Sequence, residues 1–197
     1  MHISALTRVI HYGLIFSVLF QLISAEWMII PEPGKVVVLG TRIFYIHIWF
    51  SGWVVFVLAA VYAMLMTDDP DGLGMLVPWF SAKRRKAFFK AVRVEIPGMF
   101  RGRLAPLEPK SPLAGGIHGL SIMALLGLGL TGSYVQLGVR SDGSMAADML
   151  LFLEIHQWFA VFVWIFLAGH IFMVIYHLAV GHEGIREMFS SGEQRER

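Results

Sequence analysis

The 197-residue chain has no cysteine, and this absence excludes several chemistries at once. Without thiols the protein forms no disulfide bond, has no thiolate nucleophile and binds no iron–sulfur cluster, so any metal must be held by nitrogen, oxygen or methionine sulfur. Charged residues are also scarce, at 15% of the chain against about 25% in an average soluble domain. With 56% hydrophobic residues, an ordinary soluble monomer is excluded. The net charge of +2 is too small to indicate nucleic acid as a partner.

Four apolar runs are long enough to cross a membrane, since a helix needs about 20 residues to span the hydrocarbon. Proline, glycine and acidic residues separate them, and a stop such as Asp68-Asp69-Pro70 ends a run abruptly. The pattern predicts an all-α integral membrane four-helix bundle that forms a single membrane domain over residues 1–197. The predicted spans are about 9–30, 44–66, 114–137 and 149–180, with a long basic loop at 67–112.

The basic residues are divided unequally between the two faces that such spans create. Of the 16 Lys and Arg, three lie in the two short loops, Lys35, Arg42 and Arg140, and all others lie in the long loop or near the chain ends. Because basic loops stay on the cytoplasmic side, this distribution predicts that both termini and the 67–112 loop are cytoplasmic.

The same rule accounts for the basic run from Lys83 to Lys90, in which Phe88 and Phe89 are interleaved. Such a segment also suits a short interfacial helix that lies on anionic membrane lipid. A separate alternative concerns residues 1–25, which could be a cleaved signal peptide with Ile23-Ser24-Ala25 as its processing site. The stretch is long for a signal peptide and carries a His and a Gln, so we interpret it as the first span.

Histidines lie within the predicted spans, where an ionisable side chain costs about 3 kcal/mol and by default indicates function. His156 and His170 are fourteen residues apart on the fourth span. That step corresponds to about 21 Å of rise and a rotation within about 40° of one helix face. Counted from the outer side, His156 lies at the depth expected for His47, and His170 at the depth expected for His11.

Each depth therefore holds two imidazoles from different helices. Two facing imidazoles with a porphyrin between them is the geometry of six-coordinate haem iron, so the two pairs predict a dihaem site in the bundle. An isolated intramembrane His more often bonds a neighbouring helix, but four at matched depths favour ligation. A non-haem site with four His is disfavoured, because the two layers are too far apart for one ion.

Four further residues are candidates for contacts with cofactors. Arg8, one turn before His11, could pair with a haem propionate, and Arg42 near His47 is a similar candidate, although the positive-inside rule alone accounts for Arg8. His118 and His177 fall near the cytoplasmic ends of the third and fourth spans and could border a quinone pocket. There an imidazole would bond a quinone carbonyl and exchange the proton that accompanies each electron. The alternative is a surface His among lipid headgroups.

Two sequence features of this chain resemble those of a known group of proteins, the bacterial cytochrome b561 superfamily. Arg8-Val9-Ile10-His11 resembles its opening motif, and the fourteen-residue step from His156 to His170 resembles its fourth helix. The pattern is most similar to the dihaem cytochrome b subunits of respiratory formate dehydrogenase (gamma subunit), nickel–iron hydrogenase and thiosulfate reductase. The resemblance implies two haem b groups, with His47 and His156 on the periplasmic iron and His11 and His170 on the cytoplasmic iron.

The resemblance also implies a location and a role. It implies a multi-pass protein of the bacterial inner membrane that anchors a periplasmic redox subunit, of hydrogenase, molybdoenzyme or multihaem cytochrome type, and passes electrons between it and quinone. Primary substrate chemistry would take place elsewhere. One alternative is a stand-alone oxidoreductase, for example from superoxide to quinone, which would need a basic outer funnel. Another is a haem-free anchor or transporter, for which an inverted repeat or intramembrane carboxylates would be expected, and neither is evident.

Overall fold

The computed structural model describes residues 4–28, 30, 46–66, 72–103, 111–140 and 144–181. In these residues the backbone is almost entirely helical, and the one isolated β-bridge there pairs Val139 with Met145. The helices are α1 (Ala5–Trp27), a π-helical segment (Ile46–Gly52) that continues into α2 (Trp53–Met66), α3 (Gly72–Leu76), a 3₁₀ turn (Pro78–Phe80), α4 (Ala82–Phe100), α5 (Pro112–Leu137), and a 3₁₀ turn (Ala147–Met149) that leads into α6 (Leu150–Ala179).

Four helical segments are long and apolar enough to cross a membrane, which confirms the predicted all-α fold with four such helices. They are Ala5–Trp27, Ile46–Met66, Pro112–Leu137 and Ala147–Ala179. The last has 33 residues and only 6% of its most apolar window is buried in the protein. Its rise of about 50 Å exceeds the hydrocarbon thickness of about 30 Å, so the segment must tilt or project from the membrane. Side chains such as Phe172 and Ile175 are exposed because they face lipid rather than a protein core.

The chain divides into two compact units. The His47 unit comprises Ile10–Tyr62 and Ile122–Ile165. The His170 unit comprises Met1–Val9, Ala63–Ser121 and Phe166–Arg197.

Small residues on α5 let helices pack closely within the His47 unit. A Cβ at Gly129 would lie 2.5 Å from Phe56 Cδ2, and one at Gly127 would lie 2.7 Å from Phe159 Cε2. No hydrophobic force drives helices together inside lipid, so close van der Waals contact across such glycines is a main source of helix association.

The segment predicted as a long basic loop contains the helix α4. Ser81 caps its N-terminus by accepting a hydrogen bond from the backbone N–H of Arg84. Phe88 is only 7% exposed, with its ring 5.0 Å from that of Trp79 and against Gly116 of α5. Phe89 is 51% exposed, and its ring meets that of Phe88 edge-on with centroids 5.5 Å apart. The two interleaved phenylalanines therefore differ in burial: Phe88 packs α4 against Trp79 and Gly116, whereas Phe89 leaves half of its surface exposed, as an interfacial helix on lipid would require.

The difference in burial between Phe88 and Phe89 allows a test, with a matched control, of whether Phe88 keeps α4 packed. We expect Phe88→Ala to release the helix, because truncating a buried Phe costs about 3–5 kcal/mol, whereas Phe89→Ala removes an exposed ring and changes stability by less than about 0.5 kcal/mol. Trypsin cleavage after Lys83, Lys86 and Lys90, followed by mass spectrometry in detergent, measures the release. Cleavage at equal rates in the two variants would contradict the packing described here.

Candidate functional site

The His47 unit encloses a cavity of about 360 Å³ between its helices. This volume lies within the range of about 300–1,000 Å³ that is usual for small-molecule and cofactor pockets. Most of the lining is apolar, from residues such as Leu22, Val55 and Val163. Two of the few polar groups on its wall are imidazoles, those of His47 and His156. The structure therefore brings these two predicted ligands to one cavity.

His47 lies in the π-helical segment, a conformation that is rare and is often found at functional sites. Two side chains of α1 hold it there. Gln21 donates a hydrogen bond from Nε2 to the His47 carbonyl at 2.9 Å, and Ser24 Oγ lies 2.8 Å from His47 Nδ1. The His47 side chain is 8% exposed. Its position is therefore fixed by hydrogen bonds as well as by packing.

The bonds of Ser24 settle which nitrogen of His47 carries hydrogen. The Ser24 hydroxyl donates to the Gln21 carbonyl at 3.0 Å. A hydroxyl has one hydrogen, so both contacts are made together only when Ser24 Oγ accepts from the Nδ1–H of His47. The other nitrogen, Nε2, then keeps its lone pair.

His156 on α6 has the same arrangement with a residue of α5. Thr131 Oγ1 donates to the Gly127 carbonyl at 2.7 Å and lies 3.0 Å from His156 Nδ1. By the same argument, His156 donates its Nδ1–H to Thr131 and keeps a lone pair on Nε2. Gly132 provides room for the ring, because a Cβ at this position would lie 3.0 Å from His156 Cε1.

This donor set fits haem. Metal-bound imidazoles usually donate their second ring nitrogen to an oxygen acceptor, and here both rings do so. A porphyrin supplies four ligands of its own, so two imidazoles complete a six-coordinate iron. Across the residues that the structure describes, no group of three or more His, Asp or Glu could hold a bare metal ion. The cavity thus offers the two lone pairs and the apolar walls that haem requires.

Two other predicted site residues meet in the His170 unit. The rings of His118 and His170 have centroids 5.4 Å apart and are nearly perpendicular, and Phe166 stacks on His170 at 5.3 Å. His118 donates its Nδ1–H to the Ala114 carbonyl at 2.7 Å, since a carbonyl can only accept. His118 therefore also keeps a lone pair on Nε2.

The other predicted site residues are divided between the two units. His177 is buried near the end of α6, and Arg8 is half-buried in the first turn of α1, both in the His170 unit. His11 belongs to the His47 unit, where its ring centroid lies 6.0 Å from that of Tyr62. Arg42 lies outside the described residues. The pairing of His11 with His170 stays a prediction.

The sequence reasoning did not identify the partners of the two imidazoles, Ser24, Thr131 and Gln21. Gln21 and Ser24 are three residues apart and so lie on one face of α1, which was a usable signal in an otherwise apolar helix. Gln21 Oε1 is buried and has no hydrogen-bond partner in the described part of the chain, so a donor entering the cavity could bond it.

The fold and the cavity together define a class of protein, a helical membrane protein with imidazoles buried in an apolar cofactor pocket. A family model described as prokaryotic cytochrome b561 matches residues 2–191, nearly the whole chain. The chain therefore belongs to the prokaryotic cytochrome b561 family, and it is a multi-pass inner-membrane protein that binds haem b and transfers electrons. Comparisons with curated proteins and with solved structures gave no significant match.

Proposed function

We propose that the chain is a dihaem cytochrome b that anchors a periplasmic redox partner and transfers electrons between that partner and the membrane quinone pool. The observation that carries the proposal is the cavity of the His47 unit, where His47 and His156 present Nε2 lone pairs. Family membership favours this function over a haem-free anchor or transporter. When bound, haem b supplies one-electron transfer between ferric and ferrous iron.

In this proposal His47 and His156 hold the periplasmic haem, while His11 and His170 hold the cytoplasmic one. His156 and His170 are fourteen residues apart on α6, about 21 Å along the helix axis. One haem spans only part of a hydrocarbon layer about 30 Å thick. Two haems at different depths therefore suit electron transfer from one face of the membrane to the other. Arg8 and Arg42 are the proposed propionate partners. The walls of the cavity are mostly apolar, which disfavours water at the proposed periplasmic site.

The proposed quinone site is bordered by His118 and His177. His118 keeps a lone pair on Nε2, so it can accept a hydrogen bond and then a proton from a quinol hydroxyl. Its ring lies 5.4 Å from that of His170, a proposed haem ligand. Quinol oxidation releases a proton with each electron. It therefore needs a proton acceptor, here His118, close to an electron acceptor, here the haem proposed at His170.

Ligand substitutions test the assignment of the two haems. We expect His47→Ala to lose the periplasmic haem and His170→Ala to lose the cytoplasmic haem, since each removes one of two axial ligands. Haem content per chain and a redox titration of the reduced b-type absorption band measure which component disappears. His182→Ala, outside the predicted spans, is the matched control and keeps both. Identical titrations for His47→Ala and His170→Ala would refute the pairing.

A separate substitution tests the quinone site. We expect His118→Ala to keep both haems but to slow haem reduction by added quinol by about 10²–10⁴-fold, the usual contribution of a general base. Stopped-flow absorbance in detergent measures the rate. Reduction at the native rate, or loss of a haem from this variant, would show that His118 does not have the proposed role.

A further inference from the structure

We infer that Ser24 and Thr131 are positioning residues that set the affinity and the redox potential of the haem in the His47 unit. The inference rests on the proposed ligation by His47 and His156 and names the residues that act on those ligands. Neither hydroxyl needs to touch the haem, because each acts through the imidazole from which it accepts a hydrogen bond.

The two hydroxyls make the same chain of bonds in different helices. On α1 the chain runs from His47 Nδ1–H to Ser24 Oγ at 2.8 Å and from the Ser24 hydroxyl to the Gln21 carbonyl at 3.0 Å. On α5 it runs from His156 Nδ1–H to Thr131 Oγ1 at 3.0 Å and on to the Gly127 carbonyl at 2.7 Å. Because each hydroxyl donates to a fixed backbone carbonyl, its oxygen is oriented as an acceptor, and bonds in such a chain strengthen one another.

Burial makes these acceptors hard to replace. Ser24 is 7% exposed and His47 is 8% exposed, in a part of the protein that lies among membrane spans. If the hydroxyl is removed, the His47 ring keeps its contact with the Gln21 backbone carbonyl, and the His156 ring keeps its contact with that of Leu128. No bulk water replaces the lost acceptor, so each ring is held less firmly in its orientation and tautomer. A ring with hydrogen on Nε2 cannot bind iron through that atom.

The bond also affects the electronic state of a bound iron. An imidazole that donates Nδ1–H to an acceptor is a more basic ligand, and a more basic ligand stabilises the ferric over the ferrous state. Both axial ligands of the proposed haem have this feature, so their hydroxyl partners lower its redox potential. Loss of either hydroxyl should therefore raise the potential and weaken haem binding.

The test compares Ser24→Ala and Thr131→Val in the full-length haem-loaded protein. We expect each variant to transfer haem to apomyoglobin about 10–100-fold faster than the native protein, the usual effect of removing a hydrogen-bond partner of a metal ligand. We also expect one component of the redox titration to shift to higher potential, with a change in its low-spin electron paramagnetic resonance signal. Thr131→Ser restores the hydroxyl and should restore all three properties.

Ser17→Ala is the matched control, because Ser17 lies on α1 and is buried like Ser24. In the described part of the chain, its hydroxyl donates to the backbone carbonyls of Gly13 and Leu14. This control should change neither haem transfer nor potential, which separates the loss of any helix hydroxyl from the loss of the bond to His.

The outcomes distinguish the inference from the ligation on which it rests. If His47→Ala and His156→Ala lose this haem while Thr131→Val keeps native transfer rate and potential, the ligation stands and the inference is wrong. If the His variants keep the haem, both are wrong. If Thr131→Val binds no haem at all, recovery in Thr131→Ser supports the inference and failure to recover overturns it.

Discussion

A buried imidazole in a lipid-covered protein needs a partner for each ring nitrogen, because no water is present to satisfy it. Ser24 and Thr131 satisfy one nitrogen of His47 and one of His156, and each accepts because its own hydrogen is given to a backbone carbonyl. The second nitrogen keeps a lone pair. The chain belongs to a family that binds haem b, so haem iron is the partner that we propose for this nitrogen.

The need of the buried imidazoles for partners also explains why the surrounding helices are neither uniformly apolar nor uniformly α-helical. The π-helical turn carries His47, Gln21 bonds the backbone of that turn, and glycines on α5 admit rings from neighbouring helices. Polar side chains inside a membrane are costly unless they have partners. Here they bond the two imidazoles of one cavity or the backbone beside them, and the glycines let neighbouring rings approach α5 closely. Outside the spans, Phe88 packs α4 against Trp79, and Lys83, Lys86 and Lys90 of the same helix are exposed.

The long apolar helices were predictable from the sequence, whereas the hydroxyl partners of the imidazoles were not, and the helix α4 was predictable only in part. Apolar runs of about 20 residues determine how many helices can span the membrane, so the four long apolar helices followed from counting. Ser24 and Thr131 escaped prediction because hydroxyls in spans commonly bond their own helix, and only the tertiary arrangement shows that they also reach a His. The helix α4 was expected as a basic loop, with an interfacial helix as an added interpretation, because its few apolar residues give a weak periodic signal.

We propose that pairs of imidazoles bind haem iron in this chain. Near-infrared magnetic circular dichroism of the oxidised, detergent-purified protein tests it most directly, because the energy of the charge-transfer band identifies the two axial ligands of low-spin ferric haem. We expect bis-imidazole bands from about two haems per chain. Bands of methionine–histidine ligation, high-spin iron, or a preparation without haem would contradict it.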